Sequence, residues 1–189
     1  MVCVRISNKN IFESGRKCHS LFQTSDNVIY GNHGVCCVIG ISKIKSNTSD
    51  DEIFYYTLRP AYKKEIVVYV PVDNPEFRMR YVLSKNAAES LIQNIPQLSL
   101  LEIPTDSTRK SKLKEYILTY DLEIYIRLLK TLYIEKQVFA KDKKRTSALD
   151  DMYFNLVEEK ILEELEFVLW KSRKQIREFI IDQFRLNQS

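Results

Sequence analysis

Histidine, glycine and tryptophan are scarce in this sequence, with 2, 4 and 1 copies among 189 residues. So little glycine excludes a collagen-like chain, and 44% hydrophobic with 29% charged residues is a globular balance, not a disordered one. No stretch approaches the roughly 20 apolar residues that a helical membrane span needs. The longest uncharged apolar runs resemble Ile66 to Val72. Residues 1–20 carry Arg5, Lys9, Arg16 and Lys17 but no apolar segment of signal-peptide type, so the chain is expected to stay in the cytosol. There is no G-x-G-x-x-G, P-loop, G-x-S-x-G or H-E-x-x-H, and neither histidine has an evident nucleophile partner. The reading is non-enzymatic, with no catalytic residues, no cofactor and no small-molecule substrate.

Four cysteines are present, Cys3, Cys18, Cys36 and Cys37. In a reducing compartment they are thiols, not a disulfide framework. No C-x-x-C pair occurs, and Cys36 and Cys37 are neighbours in strand-like sequence, where they point to opposite faces. No metal site is expected; one of the pair belongs to a core and the other is partly exposed.

Charge is informative only when divided along the chain. The net +4 resolves into +3 over residues 1–20, −2 over 21–107, +6 over 108–147 and −3 over 148–189. The +6 stretch holds two clusters, Arg109, Lys110, Lys112 and Lys114, then Lys141, Lys143, Lys144 and Arg145. Cations grouped in this way neutralise phosphates and release condensed counterions. They also serve simply as a solvated helix face, and composition alone does not separate the two uses.

Periodicity divides the chain into two halves. From Asp26 to Val72, short β-rich runs alternate with turns: Val28 to Tyr30, Val35 to Ile41, Ile53 to Leu58 and Ile66 to Val70. Gly40 marks a bulge or a close approach. His33 falls in a turn beside Gly34, where its tolerance of positive φ is useful. A small curled sheet or barrel follows from this pattern. From Ser84 onward the period is helical. Ser84 caps Lys85 to Ile95, a helix spans about 108–119, and Asp121 opens the next, with Leu122, Ile126, Leu129 and Tyr133 on one stripe. Ser147 with Asp150 and Ser172 with Gln175 have capping-box spacing. The stripes Tyr153, Val157, Ile161, Leu165, Val168 and Ile176, Phe179, Ile180, Phe184 read as core. The acidic pairs Glu158-Glu159 and Glu163-Glu164 read as a solvated face. Trp170, between the last two helices, reads as core or cap packing.

Specific residues carry a resemblance. Ser25-Asp26-Asn27-Val28-Ile29-Tyr30-Gly31-Asn32-His33-Gly34-Val35 is similar to the G-D-x-V-V-Y-P-x-H-G-V opening of the CarD-like transcriptional regulators, whose barrel module also occurs in transcription–repair coupling factor. Val70-Pro71-Val72-Asp73-Asn74 matches their V-P-V-D-N, and Arg80 to Ser84 resembles the segment that follows. Thr131-Leu132-Tyr133 and Leu162 to Leu169 are similar to the family's helical domain, so that the likeness runs over about 22–184. It implies an α+β chain: an N-terminal small SH3-like or Tudor-like β-barrel followed by an all-α helical domain. The parts are a flexible extension at 1–20, a barrel at 21–83, a helix and connector at 84–107 and a helical DNA-binding domain at 108–189. Because relatives begin near Leu21-Phe22, translation starting at that leucine is an alternative to an extension.

The same resemblance implies function. The barrel would bind the β subunit of RNA polymerase by strand pairing through Lys43, Ile44, Lys45, Val68 and Tyr69. The helical domain would hold promoter DNA, at its phosphate backbone and minor groove, through Arg109, Lys110, Lys112 and Lys114, and modulate open-complex stability. Many relatives have a tryptophan wedge just before the basic residues, where this chain has Asp106-Ser107. Localisation would be cytoplasmic, at the nucleoid through the polymerase. The competing reading is an RNA-binding or ribosome-associated adaptor, since small barrels and basic helices suit RNA as well.

Overall fold

A computed structural model describes residues 21–45, 52–72, 79–141 and 147–186. The chain forms two compact units, one ending at Val82 and the other beginning at Leu83.

The first unit is an antiparallel sheet of β1 (Asn27–Tyr30), β2 (Val35–Lys45), β3 (Glu52–Pro60), β4 (Val68–Pro71) and β5 (Met79–Tyr81), in the order β4-β3-β2-β1-β5. All five strands send a residue into one core: Val28, Cys36, Val38, Tyr56, Leu58, Val70 and Met79, joined by Phe22. Alternation explains this, since Tyr56 and Leu58, or Cys36 and Val38, are two apart and share a face. The expected barrel is therefore an open sheet among the described residues, with β4 and β5 as its edges. Closure by hydrogen bonds would need those two strands to pair, and they are only 4 and 3 residues long. Cys36 is in the core and Cys37 partly exposed.

Gly40 sits at a bulge, because the β2–β3 register shifts between Val38 and Gly40. A Cβ built at Gly40 meets nothing within 4 Å, so a bulge and not a close approach accounts for it. The turn after β1 is one 3-10 turn, Gly31–His33. Its positive φ values fall on Gly31 and Gly34 (46° and 67°), not on His33. His33 instead stacks on Tyr30, with ring centroids 5.8 Å apart.

The second unit contains α1 (Lys85–Gln93), a 3-10 turn (Ile95–Gln97), α2 (Arg109–Ile117), α3 (Leu122–Lys141), α4 (Ala148–Leu169) and α5 (Arg173–Arg185). The caps follow the sequence signals. Ser84 Oγ accepts from the Ala87 amide at 3.2 Å, and Asp121 Oδ1 from the Ile124 amide at 3.0 Å. Ser172 and Gln175 form a reciprocal capping box. At α4 only half of the box is made: Ser147 Oγ accepts from the Asp150 amide at 3.1 Å, while the Asp150 carboxylate is engaged by Arg109. Leu122, Ile126, Leu129, Val157, Ile161, Leu165, Ile176, Ile180 and Phe184 are buried, as their stripes require.

Three readings are corrected. Phe179 is 46% exposed, because α5 buries Ile176, Ile180 and Phe184 and leaves Phe179 on the flank, where Lys171 lies over its ring at 5.9 Å. The acidic run of α4 is only partly a solvated face: Glu159 is exposed, but Glu158 and Glu163 are half-buried. Glu158 accepts two bonds from Arg177, Glu159 and Glu166 each accept from Arg173, and Glu164 is buried, accepting from the Leu83 amide at 3.2 Å. Trp170 is 82% exposed. It ends α4 in the left-handed region, its amide held by the Glu166 carbonyl at 3.1 Å, and that backbone turns the indole away from the core.

Candidate functional site

Two surfaces concern binding, one in each unit.

In the first unit the surface is a strand edge. β4 pairs with β3 alone, through Tyr55 to Leu58, and its other side has no strand partner among the described residues. Tyr69 is 57% exposed, whereas Val68 packs against the core. Pleating is the cause: consecutive residues face opposite sides, so Tyr69 presents a side chain and Val68 mainly its backbone. Ile66 and Val67, just before β4, are also exposed, and with Tyr69 they add apolar surface next to the exposed Lys63, Lys64 and Glu65. Sequence reasoning placed Ile66 and Val67 inside a strand; the strand begins at Val68. The signal for the patch was present in the uncharged run itself.

Lys43, Ile44 and Lys45 end β2, opposite Phe54, Ile53 and Glu52 of β3. Strand β1 pairs with β2 only through Val35 to Cys37, so this end of β2 has β3 as its sole strand neighbour among the described residues. Lys43 is exposed, with Nζ 5.7 Å from the centre of the Phe54 ring. The side chains of Ile44 and Lys45 lie outside the described ones.

In the second unit the surface is α2, and the four cations predicted there have three different environments. Arg109 turns inward. Its Nε donates to Asp150 Oδ1 at 2.7 Å, its Nη2 to Glu135 Oε2 at 2.6 Å and its Nη1 to the Pro104 carbonyl at 3.1 Å. Only 12% of its side chain is exposed. Burial works against its charge, but the bonds to Asp150 and Glu135 outweigh it and raise the guanidinium pKa above its ordinary value. Lys112 is half-buried and donates to Glu115 Oε1 at 2.9 Å, with Nζ over the Tyr116 ring at 5.0 Å. Lys110 and Lys114 are exposed. The helix wheel accounts for the split: Leu113 and Ile117 are buried, Arg109 is four residues before Leu113 on the same side, and Lys110 and Lys114 lie along the next row.

Before α2, Asp106 accepts from the Thr108 hydroxyl at 2.6 Å and from the Thr108 amide at 2.8 Å. Those bonds hold its carboxyl below the ordinary value. Asp106 and Ser107 are exposed. Of the second basic cluster, Lys141 ends α3 and is exposed, while Lys143, Lys144 and Arg145 lie outside the described residues. Sequence reasoning missed Glu135 and Asp150 as partners of Arg109. Asp150 was visible only as a capping residue, and nothing in spacing pairs positions 41 apart.

The chain is thus an antiparallel sheet unit, whose β4 edge has no strand partner among the described residues, followed by a helical unit. Residues 22–83 match the family model described as the CarD-like/TRCF RID domain. That match covers the sheet unit and marks the chain as an RNA polymerase-interacting, transcription-related protein. No curated protein matches the chain. Among the described residues, no helix is long and apolar enough to cross a membrane.

Proposed function

We propose that this protein is a non-enzymatic bacterial transcription regulator, working in the cytoplasm at the nucleoid. Its sheet unit binds the β subunit of RNA polymerase, and its helical unit contacts promoter DNA and changes the lifetime of the open complex. The observation that carries the reading is the domain match on a sheet whose edge strand β4 lacks a strand partner among the described residues and displays Tyr69. A strand of the polymerase can add to such an edge through main-chain hydrogen bonds, with side-chain pockets supplying specificity. The exposed Lys110 and Lys114 on α2 support the DNA half, because lysines on one helix row can contact backbone phosphates regardless of sequence.

The test uses purified polymerase and the full chain. Wild-type protein is expected to be retained on immobilised β subunit and to alter open-complex lifetime, with the effect diminishing at higher salt. Tyr69→Asp should abolish retention, since a charge replaces the exposed ring on the edge strand. Lys110→Glu combined with Lys114→Glu should leave retention intact and weaken the promoter effect. Failure of the wild-type protein to be retained refutes the reading. Crosslinking that recovers rRNA in preference to promoter DNA would replace it with the ribosome-associated alternative.

A further inference from the structure

We propose that Arg109 is the internal bracket that holds α2 in place, and that Lys110 and Lys114 are the residues of this helix that meet phosphate. The lysine half rests on the promoter-DNA reading; the bracket half does not.

The geometry of the guanidinium is the starting point. Arg109 is the first residue of α2, and its three bonds reach three other segments: the connector at Pro104, α3 at Glu135 and α4 at Asp150. A planar fork with several fixed donors can satisfy acceptors arranged in this way, whereas a lysine ammonium is a point charge on a flexible stem. Both ion-pair distances, 2.6 and 2.7 Å, are those of charge-assisted hydrogen bonds.

Charge argues in the same direction. One guanidinium between two carboxylates leaves that cluster with a formal excess of one negative charge. A phosphate approaching Arg109 would have to displace Glu135 and Asp150 and leave both of them unpaired at partly buried positions. Lys112 is balanced by Glu115. Lys110 and Lys114 have no such cost. They are exposed and one helical turn apart, about 6 Å along the axis, on the row beside the buried face.

The experiment pairs thermal denaturation with fluorescence anisotropy of a labelled linear DNA duplex, read between about 50 and 200 mM salt. Lys110→Gln with Lys114→Gln should leave the melting temperature unchanged. It should reduce the log–log salt slope by about 1.8, so that the fourfold salt change alters affinity roughly 12-fold less than in the wild type. Arg109→Gln and Arg109→Lys should both melt several degrees lower, with the salt slope unchanged. The lysine variant is decisive, because it restores charge but not the fork: rescue of DNA binding by lysine, with near-wild-type melting, means a phosphate contact and overturns the proposal. Glu135→Gln removes one arm only and stays measurable should Arg109→Gln not fold; it too should lower melting without changing the slope, and unchanged melting counts against the bracket. If the wild type binds no duplex, the promoter reading and the lysine half fall together. The bracket is then judged on melting, and unchanged melting of both Arg109 variants refutes it.

Discussion

Lys130 offers the most demanding test of the helical unit. It is 3% exposed, and its ammonium donates to the carbonyls of Ile95, Pro96 and Leu98 at 2.9, 3.1 and 2.9 Å. Burial pushes its pKa below the ordinary lysine value, while the three carbonyl dipoles favour keeping the proton. Lys130→Met keeps much of the stem and removes the donor. Two effects oppose each other. The ammonium no longer has to be desolvated, which relieves several kcal/mol, but its charge-assisted bonds to three carbonyls, of slightly larger gross strength, are lost. The carbonyls of Pro96 and Leu98 are part-buried and can recover water. That of Ile95 is the buried one, yet it still accepts from the Leu98 amide at 3.2 Å. The net loss should therefore fall at about 1–2 kcal/mol, which for a unit of this size is roughly 5–10 °C in melting temperature. Circular dichroism followed through heating and urea measures it. Hydrogen exchange at the Gln97 and Leu98 amides, which close the 3-10 turn, should accelerate with it. A Lys130→Met variant as stable as the wild type, with those amides still protected, refutes the claim that this lysine fastens the turn.

Two further perturbations test local features. The Asp106 carboxyl is held below its unfolded value of 3.8 by bonds from Thr108, so it contributes stability above that pH and loses it as pH falls through the folded value. An NMR titration should place its midpoint under 3.8, and Asp106→Asn should remove the acid sensitivity of the Thr108 amide; a midpoint at or above 3.8 contradicts the bond geometry. Trp170 has φ 58° and an exposed ring, so Trp170→Gly relieves about 1 kcal/mol of left-handed strain and loses little packing. It should raise the melting temperature, and a clear drop would mean that the indole packs.

Much of the fold was legible because it rests on local chemistry. The caps at Ser84, Asp121 and Ser172 follow from a hydroxyl or carboxylate three residues ahead of an amide. The strands follow from alternation. The bulge at Gly40 follows from a glycine inside a β-rich run. What was not legible is non-local. Whether strands close a barrel depends on the two edges meeting, and no periodicity encodes that. β5 is three residues long, too short for alternation to show. Trp170 read as core or cap packing because its ring is large, but it stands at the left-handed C-cap of α4 with its ring exposed. Glu158 and Glu159 read as solvated because they are charged, yet together with Glu166 they accept from Arg173 and Arg177 across the α4–α5 seam.

The same limit governs the candidate site. In the sequence, Arg109, Lys110, Lys112 and Lys114 are four equivalent positive charges. Folding distinguishes them by the position of each on a helix only nine residues long. A residue in register with Leu113 meets α3 and α4, whose facing side chains there are carboxylates. A residue one row over meets water. A count of cations therefore overstates what a helix can offer to phosphate, because part of that charge is needed to hold the helix in place. Arginine suits the inward position through its fork, and lysine the outward one, where a flexible point charge can follow a mobile backbone. The type of cation, read together with the buried face, thus separates bracket from contact on α2. That rule makes the arginine-to-lysine exchange at position 109 a sharper probe than charge reversal, since reversal would damage either role.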